Sequence, residues 1–205
     1  MTIKIKVILG TTRQNRFGDK PAQWICDEAR AQPDVEVELL DLRDYPLPFF
    51  DEPRSPAWNK GVYSNELVQR WADRIADGDA FIMVAPEYNH GYPAVLKNAI
   101  DYIYPEWADK PVGFLSYGNA GGARVIEQLR QVVVELQMLP IRSAIHLPVA
   151  VYLAVMHEPV PANPDLFLPL KEGRVNHVER FFHELLWSAR ALKTARDASV
   201  TPTPS

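Results

Sequence analysis

Short apolar segments alternate with segments of helical periodicity along most of this chain, and this alternation restricts the fold more than any other feature. The apolar segments are rich in β-branched side chains, as buried strands are. Four predicted strands span residues 3–9, 35–42, 80–85 and 111–116, and a fifth is predicted near residues 142–151. Strands that alternate with helices form a parallel sheet with helices on both faces. We therefore predict an α/β fold.

Helical patterns separate the predicted strands. These helices are predicted to begin near Pro21, Ser64, Pro93, Gly122 and Gly173, and the last is predicted to end near Leu192. Four prolines lie between Leu42 and Tyr63, so this long connection cannot form regular structure. Residues 1–195 are predicted to form a single domain. Residues 196–205 are expected to be a disordered tail.

Composition and charge exclude several classes of protein. Of 205 residues, 47% are hydrophobic and 23% are charged, which suits a globular chain with a full core. The net charge of −4 and the lack of a basic run argue against nucleic-acid binding. The one cysteine, Cys26, cannot form an internal disulfide, and no apolar run approaches the length needed to span a bilayer. We expect a cytoplasmic protein that does not enter membranes.

The loop after the first predicted strand, residues 10–18, has the composition of an anion site. It combines hydroxyl groups, two glycines and the guanidinium groups of Arg13 and Arg16, directly before a helix. Free backbone amides and a helix N-terminus both favour negative charge. The loop matches neither a Walker A sequence nor G-x-G-x-x-G. An ordinary solvated loop is the alternative interpretation.

Two further loops follow the third and fourth predicted strands. Residues 86–93 contain two tyrosines, an asparagine and a histidine, which can contact a flat heteroaromatic ligand. Residues 116–122 contain three glycines, which allow the backbone to approach a ligand closely. Local packing and turn formation are the alternatives. All three loops are predicted at one edge of the sheet, where ligands bind in open α/β folds.

Three motifs together resemble those of the NADPH-dependent FMN reductases, a group of flavodoxin-like quinone, azo-dye, chromate and flavin reductases. The motifs are Gly10-Thr-Thr-Arg13, then Pro86-Glu-Tyr-Asn89 with Leu96-Lys-Asn-Ala-Ile-Asp-Tyr102, and Ser116-Tyr-Gly-Asn-Ala-Gly-Gly122. The resemblance covers residues 3–150. It implies a flavodoxin-like, five-stranded parallel sheet in the order 2-1-3-4-5, FMN as cofactor, and NADPH or NADH as co-substrate.

The resemblance also implies positions for the cofactor. Around the FMN phosphate it places Thr11, Arg13, Asn15, Arg16 and Gly18. Along the ribityl chain and the ring it places Pro86, Glu87, Tyr88 and Asn89. At the other edge of the ring it places Ser116, Tyr117, Gly118 and Gly121. Many members have serine at the position of Thr11 and a small hydroxyl residue at that of Arg16, so Arg16 either binds phosphate or points to solvent.

The implied activity is transfer of hydride from a reduced nicotinamide through FMN to a small acceptor such as a quinone, free flavin, azo compound or metal oxyanion. FMN performs the chemistry, so we expect no catalytic side chain. The histidines lack metal-ligand spacing, and Phe114 replaces the first glycine of a G-x-S-x-G motif, so neither a metal site nor a hydrolase is predicted. A flavodoxin-type electron carrier and a flavin-based redox sensor are the alternatives.

We expect a homodimer or homotetramer. The helix predicted from Gly122 to Leu139 has more apolar positions than one sheet contact requires. Trp24 lies off the apolar face of its helix, so we expect it to contact either another subunit or a loop. The alternative is that the last helix, with Phe181 and Phe182, covers this surface within one chain. Lys97 and Asp101 have the spacing of a helix ion pair, and Cys26 is predicted to be inert packing.

Overall fold

The computed structural model describes residues 1–172 and 176–200, except for the side chain of Val200. Its strands are β1 (Ile3–Leu9), β2 (Val35–Asp41), β3 (Ala80–Pro86), β4 (Pro111–Tyr117), β5 (Leu139–Pro140) and β6 (Ile145–His146). The sheet is parallel, in the order β2-β1-β3-β4-β5, with β6 also paired to β4. The predicted flavodoxin-like order is confirmed.

Two very short strands replace the fifth strand predicted near residues 142–151. β5 pairs with the first residues of β4, and β6 pairs with Leu115 and Ser116 further along it. The chain leaves the sheet between these two pairings and is helical from Val149. The apolar, β-branched sequence there suits a strand by propensity, but its tertiary contacts select a helix.

The helices are α1 (Asp19–Arg30), α2 (Glu66–Ala76), α3 (Ala94–Asp101), α4 (Ala123–Glu135), α5 (Val149–Met156) and α6 (His177–Val200). Asn65, not Ser64, caps α2, since its side chain accepts hydrogen bonds from the backbone amides of Leu67 and Val68. The proline-rich connection contains only short 3₁₀ turns. Within the described ranges, no helix is both long and apolar enough to cross a membrane.

The core lies in two layers, one on each face of the sheet. Along β3, Ala80, Ile82 and Val84 pack into one layer, while Phe81, Met83 and Ala85 pack into the other. This is the two-residue alternation of a strand. Helices α1, α5 and α6 cover the first layer, and α2, α3 and α4 cover the second.

Close helix packing explains one glycine in β4. A Cβ atom at Gly113 would lie 2.4 Å from the ring of Phe181 in α6. Only glycine therefore allows α6 to lie this close to the centre of the sheet.

The last helix extends further than the sequence indicates. α6 continues through Val200, and Arg196 donates to Asp79 Oδ1 at 3.1 Å and to the carbonyl of Asp109 at 2.6 Å. Residues 196–200 are therefore not the disordered tail that was expected. Residues 173–175, where this helix was predicted to begin, and residues 201–205 lie outside the described residues.

Contacts within the chain account for Trp24 and for most of the apolar surface expected on α4, and of the two contacts expected for Trp24 the structure has the one with a loop. Trp24 is only 5% exposed, and its ring stacks on Phe167 at 4.5 Å within the same chain. Most apolar side chains of α4 are buried in the chain's own second layer, namely Val125, Ile126, Leu129 and Val133, whereas Val134 is 60% exposed. α6 does not cover α4, because α6 lies on the opposite face of the sheet.

Two smaller predictions are confirmed. Lys97 Nζ lies 2.6 Å from Asp101 Oδ2 across one turn of α3. Cys26 is buried in the first layer, and burial raises the pKa of its thiol to about 12, so the reactive thiolate form is suppressed at neutral pH.

The stacking of Trp24 on Phe167 predicts a large effect on stability. Trp24→Ala should lower the free energy of unfolding by about 3–5 kcal/mol, because it leaves a cavity between α1 and the segment after α5. Trp187→Ala is the matched control, since Trp187 is also helical but 67% exposed. Urea unfolding measures both. Equal effects would contradict the packing of Trp24 described above.

Candidate functional site

A cavity of about 890 Å³ opens at the carboxyl edge of the sheet. This is the edge at which ligands bind in open α/β sheets, and the volume is in the range of ligand pockets. Nine of the predicted cofactor residues line it: Arg13, Asn15, Arg16, Pro86, Glu87, Tyr88, Asn89, Tyr117 and Gly118. The three loops singled out in the sequence therefore meet in one cavity.

The other four predicted residues lie behind the lining and position it. Thr11 Oγ1 is 2.8 Å from the hydroxyl of Tyr88. A Cβ atom at Gly18 would lie 2.5 Å from the hydroxyl of Tyr117. Ser116 Oγ donates to the carbonyl of Gly121 at 2.8 Å. The first two contacts join the first loop to the loop after β3 and to the end of β4, and the third lies within the loop after β4.

The second and third loops hold each other in place. The amide of Glu87 donates to the carbonyl of Tyr117 at 2.8 Å. Gly118 has φ +151°, and a Cβ atom there would lie 2.9 Å from Glu87 Cβ. Asn89 has φ +50°, which asparagine tolerates better than most residues. Backbone packing of this kind presents amides to a ligand at fixed positions.

The guanidinium group of Arg16 forms ion pairs with two carboxylates of its own chain. Its side chain is 2% exposed. Nε donates to Asp19 Oδ1 at 2.8 Å, Nη1 donates to Asp41 Oδ1 at 2.8 Å, and Nη1 also donates to the carbonyl of Thr11. Asp41 ends β2, so this contact ties the first loop to the neighbouring strand. Two acidic partners offset the charge of Arg16 before any ligand is present.

The pKa of Asp41 reflects the same contact. Burial alone would raise it, but hydrogen bonds from Arg16 and from the amide of Arg43, with the charges of both arginines, hold this pKa below its usual value. Asp41 is therefore ionised at neutral pH and remains paired with Arg16.

Arg13 differs from Arg16. Its guanidinium lies 5.6 Å from the centre of the Tyr88 ring, a cation–π contact. In the described part of the chain, no carboxylate lies within ion-pair distance of it. A cation without an acidic partner, beside the amides at the start of α1, is suited to a phosphate.

Glu87, also in the lining, offers a buried acceptor. Its side chain is buried, and Oε1 lies 2.6 Å from Nη1 of Arg124. Oε2 is also buried and has no hydrogen-bond partner among the described residues. A buried carboxylate oxygen without a partner is costly, so a ligand N–H group at this position would be stabilising.

The sequence did not indicate one wall of the cavity. Tyr152, Met156 and Val160, in and after α5, line it together with Phe17 and Lys20. The rings of Tyr152 and Phe17 are 4.6 Å apart, and those of Phe17 and Tyr117 are 4.9 Å apart. The apolar run that forms α5 is the only indication in the sequence, and the strand predicted near residues 142–151 overlaps its first three residues.

Comparison with known proteins agrees with this geometry. Residues 3–150 match the model of the NADPH-dependent FMN reductase family. The chain belongs to this family. It is 39% identical over 150 residues to an NAD(P)H-dependent FMN reductase of Schizosaccharomyces pombe, an alignment that covers 72% of this chain and 75% of that protein.

A further relative and a solved structure extend the comparison. An NAD(P)H:quinone oxidoreductase of Solanum tuberosum is 31% identical over 143 residues, covering 66% of this chain and 70% of that protein. A flavoenzyme NAD(P)H:acceptor oxidoreductase of Paracoccus denitrificans has the same fold, with a TM-score of 0.68 and 21% identity, covering 91% of this chain and 99% of that one. The family member described here is thus an NAD(P)H-dependent oxidoreductase that uses FMN.

The cavity fits FMN. Arg13 supplies a cation without an acidic partner for a phosphate, and Glu87 Oε2 supplies a buried acceptor for an N–H group of a flavin ring. Tyr88 and Tyr117 add aromatic side chains to the same lining. The pairing of Arg16 with Asp19 and Asp41 leaves Arg13 as the exposed cation of the first loop.

The ion pairs of Arg16 predict that its loss affects folding. Arg16→Met should lower the free energy of unfolding by about 2–3 kcal/mol, because Asp41 loses its partner; the loss is smaller than for a fully buried pair, because the Asp41 side chain is 23% exposed. Arg30→Met is the control, since its ion pair with Asp27 is exposed and should contribute less than about 1 kcal/mol. Chemical unfolding at pH 7 compares them, and equal stability of the two variants would contradict this assignment.

Proposed function

We propose that the cavity at the carboxyl edge of the sheet is the FMN site and that hydride passes there from NADPH or NADH to a small-molecule acceptor. The observation that carries this proposal is the convergence of three loops on a cavity whose lining includes Arg13, which has no ion pair among the described residues, and Glu87, whose Oε2 has no hydrogen-bond partner there. Bound FMN would supply the hydride-transfer chemistry, which amino-acid side chains cannot perform. The acceptors we consider are quinones, free flavins, azo compounds and metal oxyanions.

The first loop would hold the phosphate. Arg13 provides charge, and the amides of residues 11–18 provide donors at the start of α1. Asn15, with φ +50°, makes the turn that exposes these amides, and Thr11 links the loop to Tyr88. We assign Arg16 to holding the loop on β2, since its guanidinium already contacts two carboxylates.

The other two loops would hold the ring. Glu87 Oε2 accepts a ring N–H group, and Arg124 fixes the carboxylate through its contact with Oε1. Pro86, Tyr88 and Asn89 line the cavity from the loop after β3, and Tyr117 and Gly118 line it from the end of β4 and the loop after it. The lining holds no Ser–His or Cys–His pair of the kind that nucleophilic catalysis requires. Binding and orientation are therefore the roles of these side chains.

We further propose a homodimer or homotetramer. Its support is the proline-rich connection, in which Phe49 and Trp58 are 82% and 83% exposed and Val62 is 76% exposed. Aromatic side chains are enriched at interface cores, and exposed apolar groups of this size on one segment mark a contact surface. The cytoplasmic location and the single-domain organisation stay predictions.

Turnover without a partner protein separates an enzyme from an electron carrier or sensor. The FMN-loaded protein should oxidise NADPH or NADH and reduce a quinone in the absence of any other protein, because the cavity is open to small molecules. Stopped-flow absorbance under anaerobic conditions measures flavin reduction by each nicotinamide. Tight FMN binding with negligible turnover would favour the carrier or sensor, and sedimentation of the same preparation at micromolar concentration tests the assembly.

Arg13→Ala tests the phosphate assignment. It should weaken FMN binding by roughly 10- to 150-fold, the value of a charge-assisted contact, and leave riboflavin binding unchanged, because riboflavin lacks the phosphate. Fluorescence titration measures both affinities. Arg30→Ala, a change to an exposed arginine on α1, is the control. Equal loss of affinity for both ligands would contradict the role of Arg13.

A further inference from the structure

Lys20 is a buried cation in the cavity that no motif of the sequence indicates. It lies in the first turn of α1, is 8% exposed, and lines the cavity beside Phe17. Lysine is rarely buried to this extent without a charged or polar partner. The position therefore calls for a physical explanation.

The ammonium group of Lys20 connects α1 to α5. Nζ donates to the carbonyl of Val155 at 2.9 Å and to the carbonyl of Met156, the last residues of α5. Nζ also lies 5.9 Å from the centre of the Phe17 ring. Carbonyl groups at a helix C-terminus favour a cation. An ammonium has three N–H donors, so one remains for another acceptor.

The charges in the cavity are only partly compensated. Four lysine or arginine side chains line it: Arg13, Arg16, Lys20 and Arg124. Arg16 is paired with Asp19 and Asp41, and Arg124 is paired with Glu87. Arg13 and Lys20 have no ion pair with any described residue. Glu158 acts on Lys20 only through its charge, which opposes the lowering of the ammonium pKa by burial. Two positive charges are left, which match the charge of about −1.5 to −2 on a phosphate monoester.

We propose that Lys20 is a further phosphate-binding residue of the FMN site. We propose also that phosphate binding to Lys20 stabilises the packed position of α5. The inference rests on the proposed function, because it requires FMN in this cavity. One ammonium then contacts both the phosphate and the carbonyls of Val155 and Met156. Occupancy of the phosphate position therefore stabilises α5, which carries Tyr152 in the cavity wall.

The environment of Lys20 supports this assignment. Burial lowers the pKa of its ammonium, and Glu158 opposes this only in part. Desolvation strengthens attraction to an anion, because a buried charge is less screened than an exposed one. A phosphate would therefore interact more strongly with Lys20 than with a lysine on the open surface.

Lys20→Met provides the test, with FMN and riboflavin as probes. FMN affinity should fall about 10- to 150-fold, and riboflavin affinity should change less than about twofold. Lys171→Met is the matched control, since Lys171 also contacts α1, through Glu28 at 2.9 Å, but does not line the cavity. It should leave both affinities unchanged. If Lys20→Met does not fold, Lys20→Gln keeps amide donors for the α5 carbonyls and removes only the charge.

Hydrogen exchange of α5 supplies a second readout. In the wild-type protein, FMN should protect the amides of Val149–Met156 more than riboflavin does, and in Lys20→Met this difference should disappear. Equal loss of affinity for both probes would make Lys20 a structural support of α5 and overturn the proposal. Unchanged FMN affinity in the variant would also overturn it. A wild-type protein that binds neither probe would instead refute the proposed function.

Discussion

The central strands of the sheet are buried on both faces, and this constraint determines where a ligand can bind. Every residue of β3 and β4 is buried, so neither face of the sheet offers a surface for a polar molecule. Polar groups collect at the carboxyl edge, where β1, β3 and β4 end side by side. The parallel order brings the three following loops together there, and the cavity is a consequence of that order.

Charge compensation inside the chain then sorts the basic residues of the cavity. Arg16 and Arg124 are held by carboxylates, and these pairs give the loops their positions. Arg13 and Lys20 have no such partners among the residues described. Contacts rather than residue type therefore separate the basic residues whose charge is already compensated from those whose charge is not.

The family match ends where the last wall of the cavity begins. Residues 3–150 carry the shared motifs, while Tyr152, Met156 and Val160 follow that region. All three loops of the cavity lie within the matched region. The segment from α5 onward, held on α1 by Lys20 and by the stacking of Trp24 on Phe167, shapes the cavity in this chain.

Local pattern was enough to predict the parallel sheet, its ligand-binding edge and the three loops there, because strand periodicity and loop composition are encoded in neighbouring residues. The family resemblance supplied the individual site residues, nine of which line the cavity. Local pattern could not predict the partners of Arg16, Trp24 and Lys20, because these partners are distant in the sequence. Asp41 is 25 positions from Arg16, and Val155 is 135 positions from Lys20. Packing likewise sets the helical state of α5, although its β-branched residues favour a strand. Contacts between distant segments depend on how the layers assemble, so they follow from the folded chain and not from its periodicity.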